Sequence, residues 1–119
     1  MIIIDTNVWV SFFKGEKKAL PLKDLIVENQ CLLHPYVYGE LLLGGLTVKA
    51  EELLGVLEKI PVTDEETVYQ FIREEQVNSR GIGWVDVNIL VSALSRKYRV
   101  FTFDQNLSKL CTEYHCNLP

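Results

Sequence analysis

Ile2-Ile3-Ile4-Asp5-Thr6-Asn7 decides the fold. Three β-branched residues run straight into a carboxylate and two small polar residues. An apolar run without alternation reads as a strand buried on both faces, as in a parallel sheet. Asp5 or Thr6 can cap the next helix, expected over Asn7 to Lys14 and stopped by Gly15. Beyond it, helix and strand patterns alternate. Leu20 to Glu28 reads as a helix and Cys31 to Leu33 as a strand. Pro35 opens a helix over Tyr36 to Leu43, ended by Gly44-Gly45. Ala50 to Leu57 is helical, and Lys59 to Val62 is briefly extended. Asp64-Glu65-Glu66 starts the longest helix, to about Asn78, at the dipole end that favours acids. A glycine-containing loop spans Ser79 to Trp84. Asp86 to Lys97 is an apolar helix, Arg99 to Phe103 a strand, and Asp104 the cap of a last helix to about Cys111. Tyr114 to Leu118 reads as an edge strand. Such alternation predicts an α/β fold on a parallel sheet, in one domain over residues 1–119.

At 119 residues and 48% hydrophobic, the chain can bury a core without disulfides. Cys31, Cys111 and Cys116 are odd in number and unpaired in spacing, which fits buried thiols in a reducing compartment. No apolar run approaches membrane-spanning length, so the expectation is a soluble cytoplasmic protein with no membrane partner. The net charge of −4 is unevenly spread. Eight acids between Glu51 and Glu75 face only Lys59 and Arg73, a local −6 that leaves +2 elsewhere. An acidic back and a mildly basic working face would permit a polyanionic substrate.

Four acids stand apart from the rest. Asp5 is the only charged side chain before Lys14, and Glu40 the only one between Glu28 and Lys49. Asp86 is alone between Arg80 and Arg96, and Asp104 between Arg99 and Lys109. A carboxylate on an apolar surface is costly unless paired or bound to a cation, and these segments offer no Lys or Arg partner. Asp5 and Asp104 each follow an apolar strand, Glu40 follows the strand at Cys31, and Asp86 follows a glycine loop. In a parallel sheet the C-terminal strand ends share one edge, where sites form. Asp5, Asp86 and Asp104 are also good helix caps, and singly that is an equal or better reading. Together the four indicate a site for Mg²⁺ or Mn²⁺, hard cations that take oxygen ligands. One or two such ions would position and deprotonate water for in-line attack on a phosphodiester. Thr6, Asn7 and Thr102 are candidates to support the ligands. Lys14, Lys17, Lys18 and Arg80 flank loops at the same edge and are candidate phosphate contacts. His34 and His115 lack metal-ligand spacing, and no Ser-His or Cys-His pair suggests a protein nucleophile.

The motifs Ile3-Ile4-Asp5-Thr6-Asn7, Tyr38-Gly39-Glu40-Leu41, Gly81-Ile82-Gly83-Trp84-Val85-Asp86 and Phe101-Thr102-Phe103-Asp104 occur in that order. In this the sequence resembles PIN-domain ribonucleases, and within them VapC-type toxins of prokaryotic toxin–antitoxin pairs, over essentially the whole chain. The resemblance implies a PIN-like three-layer sandwich, with a central parallel sheet of about five strands flanked by helices. It also implies Mg²⁺- or Mn²⁺-dependent cleavage of RNA, a homodimer, and a cognate VapB-like antitoxin that covers the site. Carried over, Asp5, Glu40, Asp86 and Asp104 become the metal-binding, catalytic carboxylates. Leu107 stands where family members often carry an aromatic, and Asn88 adds no carboxylate beside Asp86. The alternative is a non-catalytic PIN-like interaction module that binds a basic partner through its acidic pocket. An Asp-nucleophile phosphatase ranks last, because Asn7 stands where its second Asp would be.

Overall fold

The computed structural model describes residues 1–118. Four strands form the sheet: β1 (Ile2–Ile4), β2 (Cys31–Leu33), β3 (Glu58–Lys59) and β4 (Arg99–Phe101). All pair in parallel, in the order β3-β2-β1-β4. Seven helices flank them: α1 (Thr6–Phe13), α2 (Pro21–Val27), α3 (Pro35–Gly44), α4 (Val48–Gly55), α5 (Glu65–Glu75), α6 (Trp84–Arg96) and α7 (Gln105–Glu113). The chain steps outward from β1 to β3, then returns to the far side of β1 for β4. Right-handed crossovers therefore put α1–α4 and α5–α6 on opposite faces, which makes the three layers.

Ile3, Ile4, Leu32 and Leu33 are fully buried, as the unalternating runs require. Trp9 on α1 is also fully buried and stacks on Phe13, with centroids 5.7 Å apart. α6 contributes Val87, Ile89, Leu90, Val91 and Ala93 to the same core. Cys31, Cys111 and Cys116 are buried and free, and burial pushes the Cys31 thiol up to about 11. No described helix is long and apolar enough to cross a membrane.

The departures from the sequence expectation have local causes. β4 stops at Phe101 rather than Phe103 because the next backbone N–H groups turn to side chains. Phe103 N–H donates to Asn7 Oδ1 (3.1 Å) and Asp104 N–H to Thr102 Oγ1 (3.0 Å). The expected strand over Tyr114 to Leu118 is a single parallel bridge, Val100 to Asn117. α7 runs two residues further than expected, and a left-handed His115 then lets Cys116 N–H bond back to Cys111 O. The longest-helix reading fails differently: a left-handed Gln76 ends α5, and Val77–Ser79 is a separate 3₁₀ turn. α6 begins at Trp84 with Gly83 as its cap, so Asp86 lies in the first turn and is not the cap.

A strand buried on both faces should be sensitive to lost volume. Ile3→Ala is expected to cost about 2–5 kcal/mol and Ile3→Val about 0.5–1.5 kcal/mol. Urea unfolding of both variants measures this, and equal, small losses would place Ile3 outside the core.

Candidate active site

The sheet order fixes where a crevice can open. β1 and β4 are neighbours, and α1 and α7 leave them toward opposite faces, so space remains beyond their C-terminal ends. Asp5 follows β1 directly, and Thr102 to Asp104 follow β4. α3 and the first turn of α6 reach the same place. The concavity there, about 590 Å³, is lined by Asp5, Glu40, Asp86 and Asp104, with Thr6 and Asn7 beside them. Lys14 and Lys18 stand on its rim, while none of the eight acids between Glu51 and Glu75 reaches it.

Asp5 is the best anchored of the four, with only 4% of its surface exposed. Its Oδ1 accepts from Thr6 N–H at 2.8 Å and its Oδ2 from Thr102 Oγ1 at 2.7 Å. Thr6 Oγ1 donates to Glu40 Oε1 at 2.6 Å, so one residue holds two carboxylates, from α1 and α3. Asp86 Oδ2 accepts from Gly83 N–H at 3.0 Å, and Asp104 Oδ1 accepts from Leu107 N–H at 2.8 Å. Asp5 and Asp104 thus cap helices and line the concavity at once. The second oxygens of Glu40, Asp86 and Asp104 accept nothing from the described residues.

Burial raises the Asp5 carboxyl above its ordinary range, against the lowering hydrogen bonds from Thr102 and Thr6 and with repulsion from Asp86 and Glu40. Asp86 is raised for the same first reason, opposed by the Gly83 N–H and reinforced by Asp104 and Glu40. No cation offsets these charges: among the described residues the one ion pair is Arg80–Glu113, at the far end of α7.

Not every sequence candidate arrives. Lys17 and Arg80 do not line the concavity, and Arg80 is committed to Glu113. Glu40 is exposed rather than pressed on an apolar face, because Leu43, one turn away, is itself 91% exposed. Two polar lining residues, and Val10 beside them, escape sequence reasoning. Glu16 sits among three lysines and reads as a solvated loop residue. Ser11 reads as a helix residue, yet it is buried and its Oγ has no partner. Its spacing of one turn from Asn7 was the available signal. His34 is structural: its Nδ1 accepts from Tyr36 N–H at 3.0 Å, capping α3, and burial pushes it down to about 4, so it stays neutral.

Comparison with known proteins settles the family, since the PIN domain model matches residues 2–113. The chain belongs to the PIN-domain family. It is 32% identical over 116 residues to "Ribonuclease VapC32" of Mycobacterium tuberculosis, strain CDC 1551 / Oshkosh, covering 95% of this chain and 92% of that protein. The protein of the same name from strain ATCC 25618 / H37Rv matches equally. Both place this PIN domain with the VapC type.

The acidic side chains of this PIN domain form an all-oxygen donor set, the chemistry that hard divalent cations select. As they stand, no three acidic, His or Cys side chains among the described residues are grouped to hold one ion. Asp5 is engaged through both oxygens, and Glu40, Asp86 and Asp104 through one each.

One contact organises the arrangement from outside it. Asn106, in the first turn after the Asp104 cap, donates from Nδ2 to Gly81 O at 3.2 Å. Gly81 has φ +73°, and a Cβ there would stand 2.6 Å from Asn106 Nδ2. The loop that presents Asp86 is thereby tied to the helix that presents Asp104. Gly81→Ala is expected to destabilise the fold by about 1–3 kcal/mol, through its left-handed backbone and the close approach of Asn106, and Asn106→Ala by less. Urea unfolding of both variants measures this.

The raised carboxyls also set a pH dependence. A group whose folded pKa lies above its unfolded value adds stability at low pH and loses it as pH rises through the folded value. At neutral pH the ionised Asp86 therefore costs stability in the metal-free protein. Asp86→Asn keeps an oxygen for Gly83 N–H and removes the charge. Metal-free Asp86→Asn should melt at or above the parent at pH 7, with the advantage shrinking below the ordinary carboxylate range. Thermal melts across pH test this, and a variant that melts lower at pH 7 contradicts it.

Proposed function

We propose that the chain acts as a single PIN-like nuclease domain, a metal-dependent endoribonuclease that is the toxin of a type II toxin–antitoxin pair. The observation that carries this reading is the convergence of Asp5, Glu40, Asp86 and Asp104, from four separate elements, on one concavity. The two relatives, both called ribonucleases, support RNA as the substrate.

In this reading Asp5, Glu40, Asp86 and Asp104 would hold Mg²⁺ or Mn²⁺. The ion supplies Lewis acidity, lowering the pKa of water and offsetting charge on the phosphodiester. The chain's own work is placement. Thr102 and Thr6 orient both oxygens of Asp5, and Thr6 orients Glu40. The Gly83 and Leu107 N–H groups orient Asp86 and Asp104. Lys14 and Lys18 on the rim attract phosphate oxygens into an otherwise repulsive cavity. No side chain needs to act as nucleophile, since His34 is buried and neutral and the three thiols are buried. Hydrolysis then needs a water in line with the leaving ribose oxygen.

The reading extends to a VapB-like antitoxin, a homodimer and a cytoplasmic setting in which three thiols stay free. Leu43, Val48 and Val56 are 91%, 74% and 79% exposed, which supports a partner-covered surface on α3 and α4. A second reading, the non-catalytic module, is favoured by one observation: Glu40, Asp86 and Asp104 each turn an oxygen unengaged by the described residues toward the concavity, where basic side chains of a partner would also pair with them. Titration with Mn²⁺ separates the two: a site lost in Asp86→Asn supports the enzyme, and no binding supports the module. Asp5→Asn and Asp86→Asn should each lower Mg²⁺-dependent RNA cleavage by at least about 100-fold. Growth arrest on expression should disappear with it. Full cleavage and toxicity in both variants would sink the nuclease reading.

A further inference from the structure

A second concavity, about 400 Å³, adjoins the acidic one at the outer edge of β4, where Asn117 bridges to Val100. Lys18 lines both. The segment after β4 is their common wall: Thr102 and Phe103 border the second, and Asp104 borders the first. The Lys18 ammonium lies 4.8 Å from the centroid of the Phe103 ring, which holds a cation at the boundary. The Phe101 and Phe103 rings meet edge to face, 5.5 Å apart, and Pro21 adds a further apolar surface. Ser108 and Asn117 bring a hydroxyl and an amide to the same space. Among the described residues the Asn117 Nδ2 makes one long contact of 3.4 Å, to Leu118 O. No acidic side chain is among the lining residues.

We propose that this second concavity receives the base of the nucleotide next to the phosphate held at the carboxylates, with Lys18 on the phosphate between them. The proposal rests on the ribonuclease reading. A single strand alternates charged phosphates with flat aromatic bases, and proteins read such bases by stacking and by hydrogen bonds to their edges. Here an anion-attracting rim stands directly beside an aromatic groove of small-molecule size that acidic side chains do not line. Asn117 offers a donor and an acceptor side by side, the pattern that can select one base edge over another. Base preference next to the cut is thereby assigned to Ser108 and Asn117, outside the carboxylate cluster.

The test titrates the full metal-free chain, labelled with ¹⁵N, with each of the four nucleoside 5′-monophosphates, the nucleosides and inorganic phosphate. Saturating shifts are expected at the Phe103, Ser108 and Asn117 amides, with a nucleotide binding at least about fivefold tighter than its nucleoside or phosphate alone. Asn117→Ala should reorder the four bases, and Lys18→Ala should weaken all four alike. The same shifts with phosphate alone, or none at these amides, overturn the proposal. A second arm maps cut ends in single-stranded RNA of random sequence. Ser108→Ala and Asn117→Ala should change the preferred base at one position beside the cut by at least about threefold. Unchanged preference with cutting intact removes the base pocket and leaves the ribonuclease reading standing. Nucleotide binding at these amides without any RNA cutting upholds the pocket and removes the ribonuclease reading.

Discussion

A carboxylate with 4% of its surface exposed and no cation beside it has to be held by neutral donors, and Asp5 is held by two. One is the N–H of Thr6, at the start of α1. The other is the hydroxyl of Thr102, beyond the end of β4 and 97 residues away in sequence. That single side chain joins the two strands between which the sheet reverses direction. The same Thr102 hydroxyl accepts from Asp104 N–H, so the second Asp is placed from the first. Thr6 extends the chain of contacts to Glu40 on α3. Asp86 is held within its own segment, by Gly83 N–H, and reaches α7 through Asn106 and Gly81.

Helix capping and site formation are the same geometry used twice. A cap engages one carboxylate oxygen with an N–H of the first turn, and the other remains free to face a crevice. Asp104 shows this plainly, with Oδ1 on Leu107 N–H and Oδ2 unengaged by the described residues. At strand–helix junctions along one sheet edge, capping acids are delivered to a common point by topology. The cost is repulsion, which burial amplifies at Asp5 and Asp86. The protein tolerates that cost at its crevice.

Local pattern carried most of the fold. The triple Ile run, the Pro35 helix start and the acids at the start of α5 each act through neighbours a few residues away. The misreadings cluster where a side chain from elsewhere intervenes. Asn7 ends β4 early, and left-handed Gln76 and His115 break patterns that hydrophobic periodicity continues through. Glu40 looked set on an apolar surface because its helical neighbours are apolar, yet Leu43 and Gly44 are exposed and only Val37 turns fully into the core. Arg80 looked available because it flanks a loop at the same edge, while Glu113 reaches it from α7.

The sequence by itself determined the parallel α/β class, the isolation of Asp5, Glu40, Asp86 and Asp104, and their positions at segment ends. Those properties depend on periodicity and on charge among near neighbours, which a chain displays in one dimension. Tertiary structure decided which of the flanking polar residues reach the crevice. It brought Lys14, Lys18, Glu16 and Ser11 to it and left Lys17 and Arg80 out. It also set the groove beside Phe103 next to the carboxylates. These outcomes depend on which elements meet across the sheet, and contacts between residues 20 to 100 positions apart leave no periodic trace in the chain.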